Sequence, residues 1–253
     1  MNTIGFLTLC RKEVGRFLSV SVQTVFAPLV STLLYFVIFG QLMSDQAASL
    51  RGIDYAVFLL PGLIMMAMLQ NAFSNSSSSL IQSKMYGNLD LLLLSPLSPI
   101  EIFAAFVLGA VARGMLVGVA IALVGQWWVS LSWHSFAWLL VFSLLSNFVL
   151  GAMGFLAGLW AAKYDHLAAF QNFVVLPLTF LSGVFYSVTA LPEVWQLATA
   201  FNPFFYMVDG FRYAVLGASD QSPWVSLLVT AGFAVVLSTV CIVLLQKGWK
   251  IRR

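Results

Sequence analysis

Long apolar runs broken by short polar stretches set the pattern of this chain. Runs of about 20 residues are long enough to cross a bilayer as helices. They predict spans at residues 25–43, 55–73, 102–126, 136–160, 170–186 and 225–245. The stretch 176–217 departs from that rhythm: one apolar run is followed by two hydrophobic segments too short to cross, punctuated by Pro192 and by Asn202 and Pro203. Asn202 has the chemistry of a helix cap, Pro203 that of a first helical residue, and Gly217 suits the position just past a helix end. Between them lie Phe204, Phe205, Tyr206, Phe211 and Tyr213, an aromatic content that fits an interfacial depth. Residues 188–222 are therefore expected to hold a pair of short helices that dip into the outer leaflet without crossing it. Either they gate an outward exit or they cap the bundle.

Ahead of the first span, within residues 1–22, Leu7, Cys10, Val14 and Phe17 recur at spacings of three and four, with Lys12 and Arg16 opposite. That spacing predicts an amphipathic helix lying along the membrane surface. Its basic face suits anionic headgroups or a cytoplasmic protein, and a plain anchor competes evenly with a docking role. The second span runs into a polar end, Gln70, Asn71, Ser74, Asn75 and the four serines 76–79. Polar residues at helical spacing inside a membrane either line a pathway or serve close helix packing. Within 76–100, the loop 82–88 leads into Leu89, Asp90 and a tetraleucine, and then into Pro96 and Pro99, which stop one short helix and start the next span. This elbow is either a lever for a partner or a simple connection.

Arg113 stands about ten residues into the third span, so roughly 15 Å deep at the helical rise. A central arginine costs about 2.5–3.5 kcal/mol on insertion scales, so it must face protein or a wet cavity. A structural pair with a carboxylate or with carbonyls is the preferred reading, and attraction of an anionic part of a substrate is the other.

Composition fixes the solvent. Only 8% of the 253 residues are charged and 61% are hydrophobic, where a soluble domain carries about a quarter charged residues. The chain is an all-α integral membrane protein, a single unit over 1–253 with no room for a separate soluble domain. A net charge of +3 does not imply nucleic acid here, because the basic residues sit beside apolar runs. Arg11, Lys12, Arg16, Lys84, Lys163, Lys247, Lys250, Arg252 and Arg253 fall on one side of six spans, and Arg51 and Arg212 on the other. The positive-inside bias then places both termini in the cytoplasm. Asp45, Asp54, Glu193, Asp209 and Asp220 are expected outside or at the outer interface. The two cysteines, Cys10 and Cys241, and the isolated His134 and His166 predict no disulfide and no metal site. No cleavable signal is expected at the N-terminus. The sequence contains no HExxH, no GxSxG, no paired carboxylates in one span and no phosphate-binding loop, so neither an enzyme nor an ATPase is expected, and no catalytic or cofactor-binding residue is assigned.

Three stretches carry a resemblance to a known family: GNLDLLLLSPLSP at 87–99, LSGVFYSVTALP at 181–192, and FNPFFYMVDGFRYAVLG at 201–217. In order and spacing the chain resembles the membrane subunits of the type 2 ABC exporters, the ABC-2 transport permeases. That family includes polysaccharide and O-antigen export permeases and many drug-efflux systems. PGLIMM at 61–66 and VARG at 111–114 make it similar to the small bacterial inner-membrane export permeases within the group. The resemblance implies six spans, an amphipathic helix before the first, a coupling helix between the second and third, and two re-entrant helices before the sixth. It implies an assembly of two permeases, most simply a homodimer, with two ABC ATPase subunits that bind the ATP. It places the ATPase-coupling surface at Met85, Tyr86, Asn88 and Asp90, with Lys12, Glu13 and Arg16 adding to it. The outer gate would be Pro192, Asn202, Pro203, Phe204, Phe205 and Tyr206, and the path would be lined by the first, second and fifth spans, with Arg113, Gln70 and Asn71 as intramembrane polar candidates. The implied cargo is an amphipathic, lipid-type or glycan-type molecule leaving the cytoplasm. An ion-coupled carrier or channel without an ATPase is the alternative, and it calls for ionisable residues along several spans, where only Arg113 is convincing.

Overall fold

The computed structural model describes residues 2–44 and 53–248. Asp45, Arg51, Lys250, Arg252 and Arg253 lie outside the described residues. Helix α1 (Thr3–Leu18) leads into α2 (Ser21–Ser44), followed by α3 (Tyr55–Met85), the short α4 (Asn88–Leu94), α5 (Pro99–Gly125) and α6 (Phe136–Trp160). Next come α7 (Tyr164–Phe170), a π-helical turn (Gln171–Val175) and α8 (Leu176–Phe180), then α9 (Glu193–Ala200), α10 (Pro203–Leu216) and α11 (Pro223–Gln246). Among the described residues five helices, α2, α3, α5, α6 and α11, are long and apolar enough to cross a membrane. One end of the bundle, the near end, carries α1 and α4; the far end carries the start of α3 and the segments flanking α9.

The long helix α3 is the axis, packed chiefly against α6 and α5 and also against α2 and α10. It starts on the Asp54 side chain, which accepts from the Ala56 amide at 3.0 Å. It continues past the apolar run through the serines to Met85, twelve residues beyond the expected end of the span. Close packing explains this. Ser76 Oγ donates to the Gly151 carbonyl at 2.7 Å, and a Cβ at Gly154 would collide with the Phe73 carbonyl and Ser76 Oγ. The start of the serine run is therefore part of the small-residue face on which α6 lies, since small residues let two membrane helices approach this closely, while Ser78 and Ser79 turn toward α1. Ser98 and Glu101 form a reciprocal capping box that starts α5 after the proline elbow.

Two expectations are corrected. The fifth span, expected at 170–186, appears as a segmented helix of the same length displaced six residues toward the N-terminus, over 164–180, about 25 Å long. Pro177 has no N–H to return to the preceding turn, and the chain adjusts through the π turn, in which the Leu176 amide reaches Gln171. The helix then stops, and Gly183 takes a left-handed φ of 76°. Second, α1 does not bury Leu7, Cys10, Val14 and Phe17 as one stripe. It buries Leu9, Glu13 and Phe17, while Leu7 is exposed with Ile4 and Leu18. The buried face is the one that meets α5 and the polar part of α3, and apolar periodicity alone does not register a polar contact surface.

Candidate functional site

The near half of the bundle holds a cavity of about 450 Å³ between α2, α3 and α5. It brings together all three intramembrane polar residues singled out from the sequence, Gln70, Asn71 and Arg113. Helix α2 supplies the facing wall with Gln23, Thr24, Ser31, Thr32 and Tyr35. Those positions recur at helical spacing, a polar stripe in a spanning helix that was legible in the sequence and not used there. The segment 164–180 contributes no lining residue to this cavity, which is bounded by the first, second and third long helices.

Arg113 lies near the midpoint of α5. Among the described residues it makes no hydrogen bond and no ion pair, and its Nε is buried without a partner. The charge that acts on it is another cation, Arg16. The preferred expectation of a structural pair with a carboxylate or carbonyls is thus not met: the guanidinium faces the cavity. Gln70 also buries an unpartnered Nε2, whereas Asn71 donates to the Ala67 carbonyl at 2.9 Å within its own helix.

At the near end, Glu13 is fully buried (0% exposed). One of its oxygens accepts from Lys12 Nζ at 2.7 Å and from Ser79 Oγ at 2.9 Å. Arg16, one turn on, donates through Nη2 to the Asn75 carbonyl at 2.7 Å and to Asn75 Oδ1 at 2.9 Å. Burial pushes the Arg16 guanidinium below its ordinary value, and the Glu13 carboxylate opposes that. A Cβ at Gly109 would come within 2.8 Å of Glu13 Cβ, so a glycine on α5 makes room for α1. Glu13 and Arg16 therefore clamp α1 to α3, and of the three N-terminal docking candidates Lys12 is the one with a half-exposed side chain.

The elbow between α3 and α5 is different. Gly87 adopts a φ of 72° and turns the chain into α4, whose Leu89 is buried while Asn88, Asp90 and Leu91 face outward. Met85, Tyr86 (72% exposed), Leu91 and Leu94 (83% exposed) form an uncovered apolar surface around Asp90. Beneath it Lys84 Nζ reaches the carbonyls of Leu159 and Ala161, each at 2.8 Å, tying the elbow to the end of α6.

The far end is closed by a polar network that sequence reasoning missed. Arg212 is 2% exposed, donates to the Gly183 carbonyl at 2.7 Å and lies 3.9 Å from the Phe58 ring centroid. Asp209, three residues earlier and fully buried, accepts from the amides of Asp220 (2.7 Å) and Gln221 (3.0 Å). Asp220 in turn accepts from Ser187 Oγ at 2.6 Å and the Val188 amide at 2.8 Å. Asp209 was expected outside or at the outer interface and Arg212 on the outer side; their burial together is the finding, and the spacing of three on one helix was the available signal that they serve a common interior. Of the gate candidates, Asn202 caps α10 by accepting from the Phe204 amide at 3.0 Å and donates to the Leu178 carbonyl at 2.7 Å. Phe204 and Phe205 are buried, Tyr206 is half-buried, and Pro192 caps α9.

Residues 5–216 match the family described as ABC-2 type transporter. The chain is 35% identical over 249 residues to the inner membrane transport permease YadH of Escherichia coli (strain K12), covering 98% of this chain and 97% of that protein. It is 22% identical over 217 residues to nodulation protein J of Rhizobium leguminosarum bv. trifolii, covering 85% and 83%. It is 21% identical over 218 residues to nodulation protein J of Rhizobium meliloti (strain 1021), covering 86% and 83%.

Proposed function

The chain belongs to the ABC-2 type transporter family, and on that premise we propose that it is the membrane-spanning permease subunit of an ATP-driven exporter, with the uncovered surface on α4 as its coupling face. It carries out no chemistry itself. Two copies of a separate ABC ATPase bind and hydrolyse the ATP, and two copies of this permease, as a homodimer, form the path through the bacterial inner membrane. Both termini lie in the cytoplasm, six segments cross if 164–180 is counted, and α9 and α10 re-enter from the outside. The cargo is an amphipathic, lipid-type or glycan-type molecule taken from the cytoplasm or the inner leaflet.

The observation that carries this reading is the apolar surface of Met85, Tyr86, Leu91 and Leu94 around Asp90. These side chains are exposed on a turn and a short helix at the end of the bundle rather than along a spanning helix, and exposed apolar groups so placed suit an interaction site. Its base is tied to α6 through Lys84 and it continues directly from α3, so a push on α4 is passed to the two helices at the centre of the bundle. Lys12 offers a half-exposed cation on α1, while Glu13 and Arg16 keep α1 in place. The far-end network around Asp209, Arg212 and Asp220 is the closure that an outward step must open, together with the contacts of Asn202 and the buried Phe204 and Phe205.

The test is to purify the chain from its native membrane in mild detergent and identify what accompanies it in stoichiometric amount. An ABC ATPase that is lost on Leu91→Glu or Leu94→Glu, with the permease still folded, is the expected result. Reproducible isolation without any ATPase leaves the ion-coupled carrier as the better account.

A further inference from the structure

We propose that the cavity between α2, α3 and α5 is an anion site, taking the phosphodiester-type headgroup of an acidic amphiphile onto Arg113. This rests on the transport reading above and specifies the cargo: its polar end is a singly charged oxyanion, and its apolar part stays with the helices.

Three observations converge. The first is charge. Arg113 stands near the middle of a spanning helix with no carboxylate or carbonyl partner among the described residues, and the charge acting on it is the cation Arg16. An unpaired cation at that depth is unfavourable by itself, and a bound oxyanion supplies the counter-charge that the chain omits. The second is the wall. Gln70, Thr32, Ser31 and Tyr35 surround the space with hydroxyl and amide groups, and Gln70 Nε2 has no partner. Hydroxyls and amides hydrogen-bond phosphate oxygens as well as they do water, and the guanidinium fork suits a phosphate in particular. The third is access and shape. The cavity reaches the exposed Val20 and Gln23 at the near end of α2, and Ala27, Pro28, Leu63 and Met66 give it an apolar flank. A free inorganic ion has no use for that flank, whereas an amphiphile has both halves matched.

The full chain, purified in detergent, is tested with short-chain phosphatidylglycerol against phosphatidylcholine of the same acyl chains, read by native mass spectrometry. Wild type and Arg113→Lys are expected to retain phosphatidylglycerol in preference to phosphatidylcholine. In Arg113→Gln the preference falls about tenfold, the loss of one charged hydrogen-bonded contact. Ser31→Phe, which fills the cavity and keeps the charge, is expected to lose retention as well, and it serves if Arg113→Gln does not fold. Inorganic phosphate in excess leaves the bound phosphatidylglycerol in place. Unchanged phosphatidylglycerol preference in folded Arg113→Gln, or in Ser31→Phe, overturns the site. Displacement by inorganic phosphate alone overturns the amphiphile and leaves a site for the free ion. Co-purification of the ATPase is scored on the same preparations: an ATPase that stays while the lipid preference is absent removes the anion site only, and a lipid preference without any ATPase removes the ATP-driven reading only.

Discussion

Arg212 and Arg113 are both held inside the bundle, and their surroundings differ in nearly every respect. Arg212 has a carbonyl at 2.7 Å, an aromatic face at 3.9 Å and a carboxylate three residues away on its own helix. Arg113 has a cavity, an amide without a partner and a second cation nearby. The same residue type thus closes the far end and leaves the near half open. Burial of a charge does not tell structure from function, nor does one unpartnered atom, since Nε is buried without a partner in both arginines; what separates them is the carbonyl and the ring that Arg212 has and Arg113 lacks.

The comparison breaks first at the far end. Arg212→Leu removes a charged hydrogen bond and a desolvated cation–π contact, and it leaves Asp209 without its neighbouring cation. A loss of about 3 kcal/mol is expected in detergent unfolding measurements. Gly62→Leu attacks the same closure from α3, since a Cβ there would lie 2.8 Å from the Val184 carbonyl and 3.2 Å from Arg212 Nη2; overpacking of this kind is expected to cost about 2 kcal/mol in the same assay. Glu13→Gln at the near end keeps the shape and weakens the pairing with Lys12 and Arg16, for an expected loss of about 1 kcal/mol and a helix α1 that becomes more accessible to proteolysis. Arg113→Leu is expected to raise stability, by up to about 1 kcal/mol, because it removes an unpaired intramembrane cation and breaks no hydrogen bond or ion pair among the described residues. The smallest stability effect, below about 0.5 kcal/mol, is expected for Leu91→Glu, an exposed position whose consequence appears in ATPase association instead.

Much of this molecule was legible in its apolar pattern. The helix at 136–160 has the expected bounds, and the ends of α5 and α11 differ from expectation by no more than three residues. Asn202, Pro203 and Gly217 delimit α10 as their chemistry suggested, with Gly217 at a φ of 73°. What was not legible depended on contacts between segments far apart in sequence. The serines 76–79 read as a polar end because hydropathy weighs each residue against solvent, whereas here they are weighed against α6 glycines and the α1 clamp. Glu13 read as surface for the same reason. Arg113 and Gln70 were singled out as intramembrane polar groups, but the cavity that joins them needs the α2 stripe of Thr24, Ser31, Thr32 and Tyr35, which no single-helix reading pairs with α5. The fifth span begins six residues earlier than expected, at Tyr164, and ends at Phe180 after the π turn and Pro177, a local backbone effect that apolar counting does not contain.

The opposition between an open near half and a closed far end is tested most directly by thiol accessibility. In a chain with Cys10 and Cys241 replaced by serine, Ser31→Cys probes the cavity and Ser187→Cys the far-end network, each reacted with a membrane-impermeant maleimide in vesicles of known orientation without ATP. A cavity open to the cytoplasm predicts labelling of Ser31→Cys from the cytoplasmic side only and protection of Ser187→Cys from both sides. Labelling of Ser187→Cys from the outside, with Ser31→Cys protected, would contradict it.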